Sequence, residues 1–221
     1  MYTKLNEVNL CSINPERWLR RYLELQKAGL TGHLEDAGFP FNSPGWSAPS
    51  IPQSKEFPSQ QAWYPYEQVG YWIDGMIRCG YLLGDRFLIN KALKHVLFIL
   101  DHPDTDGYLG PIFMKDSSEG NFRWPHAVFF RAIMAYYSAT GDKRVPEALR
   151  KHYLSDTCSH SKKRDVCNIE AILWTYDKTG DKNLLDMAEK IYADYNCNNE
   201  KLDISEKSLC SSKRPSIHGV T

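Results

Sequence analysis

Three times along the chain an apolar helical stretch ends in Gly-Asp and a second, amphipathic stretch follows. Tyr66 to Leu83 (YEQVGYWIDGMIRCGYLL) leads through Gly84-Asp85 into RFLINKALKHVLFIL. His126 to Thr140 (HAVFFRAIMAYYSAT) leads through Gly141-Asp142 into KRVPEALRKHYL. Asp165 to Thr179 (DVCNIEAILWTYDKT) leads through Gly180-Asp181 into KNLLDMAEKIYADY. Glycine takes the left-handed conformation that ends a helix. The aspartate after it accepts a backbone N–H at the start of the next helix. The second stretches repeat apolar residues at helical spacing, as in Leu88, Ala92, Val96 and Ile99, or Leu184, Met187, Ala188 and Ile191. This pattern predicts an all-α chain of consecutive helical hairpins, stacked as a toroid or solenoid. The Gly-Asp pairs lie 57 and 39 residues apart, and the longer gap holds an insertion from Asp101 to Arg123.

A leading helix is predicted from Pro15 to about Ala28, with Asn14 as its cap and Gly29 as its stop. Residues 31–61 read as a loop, punctuated by Pro40, Pro44, Pro49, Pro52 and Pro58. Loops of this length in a compact domain tend to serve a function, and this one suits a cover over a cleft. Residues 1–195 therefore read as one domain. Residues 196–221 read as a polar loop or tail ending where a further hairpin would begin. One leading helix and three hairpins make about half of a six-hairpin ring, so the ring is expected to be incomplete, with uncovered apolar end faces.

Composition narrows the partners. The 221 residues carry 27 Lys and Arg against 27 Asp and Glu. This balance argues against nucleic acid and against an anionic membrane surface. No apolar run approaches the ~18 residues of a transmembrane helix, and Met1 to Leu10 hold no apolar signal core. A cytoplasmic location is the expectation for the chain as given. The six cysteines (Cys11, Cys79, Cys158, Cys167, Cys197 and Cys210) form no C-x-x-C pair, so free thiols and no metal knuckle are expected. G-x-S-x-G, P-loop, G-x-G-x-x-G and H-E-x-x-H motifs are absent from the sequence.

Chemistry-bearing residues collect at the hairpin starts. On the first helix Glu67, Tyr71, Asp74 and Arg78 share a face, and Gln68, Trp72, Gly75 and Cys79 the adjacent one. Glu67 and Asp74 are two turns, on the order of 10 Å, apart. That is slightly beyond the carboxyl spacing of inverting glycosidases, and an Asp74–Arg78 ion pair is the plainer alternative. The turn Asp106 to Pro111 (DGYLGP) carries Tyr108, a connector residue or a ligand contact. Arg123, Trp124 and His126 cluster where Pro125 opens the second hairpin; Arg164 and Asp165 precede the third, and His218 holds the equivalent place in a fourth. An indole face beside donors suits a sugar, and aromatics at 13% of the chain agree with that or with core packing. Tyr108, His126 and Arg123 could alternatively serve a polysaccharide lyase as base and cation.

The runs WYPYEQVGYWIDGMIRCGYLLGD, DGYLGP, WPHAVFFRAIMAYYSATGDKRV and AILWTYDKTGD, with the opening INPERWLRRYLELQKAGLTGHL, resemble the β-L-arabinofuranosidase-like glycoside hydrolases. The resemblance covers about Leu5 to Tyr195 and resumes at His218-Gly219-Val220. It implies an (α/α)6 barrel, of which this chain would be the N-terminal part. It also implies hydrolysis of a terminal L-arabinofuranose-type sugar with retention, through a zinc-bound cysteine nucleophile and a glutamate acid/base. In that family those groups lie in the second half of the barrel, and none of the six cysteines here sits in a matching motif. No catalytic or metal residue is carried over, zinc ligands being expected beyond residue 221. A carbohydrate contact is implied for Gln68, Trp72, Trp124, His126, Asp165 and His218, and a second polypeptide could complete the barrel. The alternatives are a non-catalytic carbohydrate-binding module and a helical scaffold for protein partners.

Overall fold

The computed structural model of the chain describes residues 8–58, 62–115, 123–155 and 165–198. All regular structure among them is helical, and no strand occurs. The leading helix α1 spans Arg17–Ala28, and the short α2 spans Leu30–His33. The first hairpin is α3 (Tyr64–Leu83) and α4 (Arg86–Asp101). A single turn, α5 (Ile112–Lys115), lies in the insertion. The second hairpin is α6 (Trp124–Thr140) and α7 (Arg144–Leu154), and the third is α8 (Ile169–Thr179) and α9 (Lys182–Asn198). No helix of the described residues is long and apolar enough to cross a membrane.

The Gly-Asp pairs act as their chemistry dictates. Gly84, Gly141 and Gly180 end α3, α6 and α8 at φ of 65°, 69° and 72°. The aspartate after each accepts a backbone N–H of the following turn: Asp85 from Leu88 at 3.0 Å, Asp142 from Arg144 at 3.0 Å, and Asp181 from Asn183 at 3.1 Å.

The first helices α3 and α6 run side by side in the same direction. Glu67 meets Trp124 near their N-terminal ends, and Asp74 meets Arg131 two turns further on. Between these points a Cβ on Gly70 would lie 3.2 Å from Val128 Cγ1, so the helices approach closely there. Their shared seam is the core, with Tyr66, Val69, Ile73, Met76 and Ile77 from α3 against Phe129, Phe130, Ile133 and Tyr136 from α6.

Three boundaries differ from expectation. α1 begins at Arg17, because Glu16 is extended (φ −124°, ψ 165°), and neither Asn14 nor Pro15 opens the helix. α8 begins at Ile169 after a 3-10 turn from Asp165 to Asn168. The proline-rich loop holds α2 and two short 3-10 turns, 34–37 and 45–47. It covers the α3–α6 seam with a fully buried Trp46, whose ring stacks on Phe129 at 4.3 Å and whose Nε1 donates to the Tyr66 carbonyl at 2.8 Å.

Candidate functional site

The three first helices begin at one end of the molecule. Trp124, the first residue of α6, donates its indole Nε1–H to Glu67 Oε1 in the first turn of α3, at 2.5 Å. Asn168, just before α8, donates from Nδ2 to the Arg123 carbonyl at 3.2 Å and accepts from the Tyr153 hydroxyl at 3.2 Å. On the outward face of α3 beside Glu67 stand Tyr64, Gln68 and Tyr71, exposed at helical spacing, and the indole of Trp124 is half-buried. This rim offers flat aromatic faces with an amide and a carboxylate among them, the combination that sugars use: C–H faces stack and hydroxyls find partners.

Beneath the rim lies a closed layer of rings. Tyr108, His126, His152 and Trp46 are all fully buried. His126 and His152 stack at 5.2 Å, Tyr108 stacks on His152 at 5.1 Å, and Trp46 meets His126 edge-on at 5.3 Å. The two histidines hold one peptide unit between them: the Leu109 N–H donates to His152 Nδ1 at 2.9 Å, and the Leu109 carbonyl lies 2.8 Å from His126 Nε2. The first bond requires His152 Nδ1 to carry no proton; the second is satisfied when His126 Nε2 carries one. Gly110 has φ 122°, and a Cβ there would come within 2.5 Å of His126 Nε2, so only glycine lets the turn lie this close. The Arg123 guanidinium lies 4.9 Å over the Tyr108 ring, and Lys115 bridges Asp104 and Asp106, holding both carboxyls below the usual range. The DGYLGP turn is thus a fixed plug whose tyrosine packs inward.

The structure brings some expected residues together and separates others. Gln68 and Trp124 share the rim. His126 lies directly below it and is sealed from solvent. Trp72 faces a different side: its Nε1 donates to the Thr31 carbonyl at 2.8 Å, Phe41 meets it edge-on at 5.8 Å and Lys91 lies 5.5 Å over its ring. Asp165 starts the turn before α8, its side chain outside the described ones, and His218 lies outside the described residues. Asp74 is held by Arg78 at 2.7 Å and Arg131 at 3.8 Å, the ion-pair alternative, so Glu67 and Asp74 are not a poised acid/base pair. Tyr64, Tyr71, Trp46 and His152 were not singled out from sequence as contacts; the exposed α3 tyrosines were legible from the i, i+7 spacing around Gln68, the other two from nothing local.

Compared with family models, with curated proteins and with solved structures, the chain matches none. The site therefore rests on its own chemistry. Among the described residues no three His, Cys, Asp or Glu side chains are grouped to hold a metal ion. Cys11 and Cys79 each donate to a backbone carbonyl, Ala139 and Leu23 respectively. These residues do not fit a zinc centre. At the opposite end, a groove of about 640 Å³ lies between the first turns of α7 and the α8–α9 turn, with Tyr137 of α6 on its wall. Its Arg150 is held by Glu147 at 2.9 Å and Asp181 at 3.1 Å, and Lys143 and Lys178 also line it.

Proposed function

We propose that this chain is a carbohydrate-recognising helical-hairpin unit, the N-terminal part of a glycoside hydrolase catalytic domain of the β-L-arabinofuranosidase-like kind, with a partial (α/α)6 toroid as its architecture. The observation that carries the reading is the Trp124 indole, pinned by Glu67 at the rim where α3 and α6 begin, beside exposed Gln68 and Tyr71. A furanose would lay its C–H face on an aromatic ring and take hydroxyl contacts from Gln68 and the free edge of the rim. His126 and His152 act one layer down as positioning residues, since burial keeps them from the sugar. Glu67 and Asp74 are both engaged, so the reacting acid/base and nucleophile come from residues other than these. Fold likeness alone selects no substrate; the ordered sequence resemblance selects terminal L-arabinofuranose-type sugars.

The test is a titration of the chain with arabinofuranosides, followed by tryptophan fluorescence and by NMR. Saturable binding in the millimolar range is expected, abolished in Trp124→Ala and retained in Glu67→Gln, where the amide oxygen still accepts the indole N–H. Absence of saturable binding at millimolar sugar would sink the reading. An aryl arabinofuranoside should remain uncleaved with or without added zinc; turnover by this chain would move the catalytic groups back into it. Sugar binding without turnover, unchanged when a polypeptide with the remaining hairpins is added, would favour the non-catalytic module instead.

A further inference from the structure

The groove beside the α8–α9 turn joins the second and third hairpins, and its polar groups are fixed within the fold. Glu147 takes the Arg150 guanidinium in two bonds, from Nε and Nη2, both at 2.9 Å, and Asp181 takes Nη1 at 3.1 Å. Asp181 is itself clamped at Oδ1 by the backbone and side-chain amides of Asn183, at 3.1 and 3.0 Å. A carboxylate oxygen carries two lone pairs, so both carboxylates keep acceptor capacity beyond these bonds. Tyr137 of α6 lines the same groove and meets Trp174 of α8 edge-on at 5.2 Å. The Lys178 ammonium lies 5.8 Å over the Trp174 ring. Lys143, at the start of α7, is exposed and enters no ion pair among the described residues.

We propose that this groove binds an acidic oligosaccharide, a short chain of uronic acid residues. The argument is the mixture of groups that line it. Lys143, Arg150 and Lys178 stand against Glu147 and Asp181, which leaves one positive charge. Just outside, Asp177 beside Lys178 and Lys151 beside Glu147 cancel one another. Such a groove attracts a single negative charge. A compact dianion such as phosphate would meet the Glu147 and Asp181 carboxylates as well as the lysines. The same carboxylates accept strong hydrogen bonds from hydroxyls, and an aromatic wall stacks on a sugar's C–H face. A uronic acid residue answers all three: a carboxylate for Lys143 and Lys178, hydroxyls for Glu147 and Asp181, and a C–H face for Tyr137. A neutral sugar leaves the lysines without a counter-charge, and an acidic peptide brings no hydroxyls to the carboxylates. The volume of about 640 Å³ is that of a ligand cleft. From Trp124 to Tyr137 α6 rises roughly 20 Å, so the groove is separate from the rim and the inference does not rest on the reading given there.

The experiment is calorimetric titration of the full chain with trigalacturonate, beside galactotriose, inorganic phosphate and hexaglutamate as comparisons. Trigalacturonate should saturate with a Kd on the order of 1 mM or tighter, and each comparison should bind at least about tenfold more weakly. Lys143→Gln and Lys178→Gln should each weaken trigalacturonate about tenfold, the loss of one charge-assisted contact. Both should keep the melting temperature of the wild type, since both ammonium groups stand at the surface. The double variant should show no saturation. The proposal is overturned if trigalacturonate fails to saturate at ten times the expected Kd, or if its Kd is indifferent to both lysine variants. It is equally overturned if phosphate, galactotriose or hexaglutamate binds as tightly, which would make the groove a plain cationic patch, a neutral-sugar site or a peptide site.

Discussion

At the residue scale two histidines carry opposite lessons. His95 sits in the middle of α4 with 8% of its surface exposed, and its Nδ1 finds no partner among the described residues. Burial, aided by neighbouring Lys94, pulls its pKa down to about 4 from the usual 6.5. The folded protein therefore resists the proton that the unfolded chain accepts. The stability associated with neutral His95 is complete above pH 6.5 and drains away as the pH falls towards 4. The loss should reach on the order of 2 kcal/mol by pH 5. Urea melts of wild type and His95→Leu at pH 7 and pH 5 measure it: the wild type should lose about that much more than the variant, and equal losses would remove His95 from the account. His152 works through its lone pair. His152→Ala strands the buried Leu109 N–H, at a cost of about 1–3 kcal/mol plus the lost stacking. His152→Asn, whose Oδ1 occupies nearly the place of Nδ1, should recover part of that. A similar melting temperature for both variants would mean that the bond matters little.

At the scale of elements α3 contains its own control experiment. A Cβ on Gly80 would lie 3.0 Å from both Ile89 N and Ile89 Cγ1, where α3 turns into α4; a Cβ on Gly75 would meet nothing within 4 Å. Both are interior helical positions. Gly80→Ala must push backbone aside and should cost about 1–3 kcal/mol, whereas Gly75→Ala should add about 0.5–1 kcal/mol by restricting the unfolded chain. Thermal melts with opposite shifts are expected, and shifts of the same sign would show that the hairpin does not close as described. The same helix shows how far sequence reaches. Helix ends were legible because capping is local: Gly84 and Asp85 act on residues within four positions. The amphipathic faces were legible because their period is. The Trp124–Glu67 bond spans 57 residues and Trp46 enters from a loop without period, so no spacing rule reaches either. Trp72 shows the cost: it shares a helix face with Gln68 in sequence, but α2 and Lys91 claim it. The start of α1 fell to a single extended residue, Glu16, that propensity does not foresee.

At the scale of the whole molecule stability should fall from the middle hairpins outward. α3 packs against α1, α4, α6 and the Trp46 turn, and it buries ten residues; α6 buries eleven. α9 is held by α8, α7 and the turn before α8, and α1 buries nothing fully. In a stack where each unit leans on its neighbours, local opening costs what the local contacts supply. Hydrogen exchange should therefore show the slowest amides in α3 and α6 and the fastest helical amides in α1, with α9 between them. If α1 exchanges as slowly as α3 in dilute protein, the grip of Leu19, Leu23 and Gln26 on the body is stronger than their half-burial implies, and the stability gradient is wrong from its first helix onward.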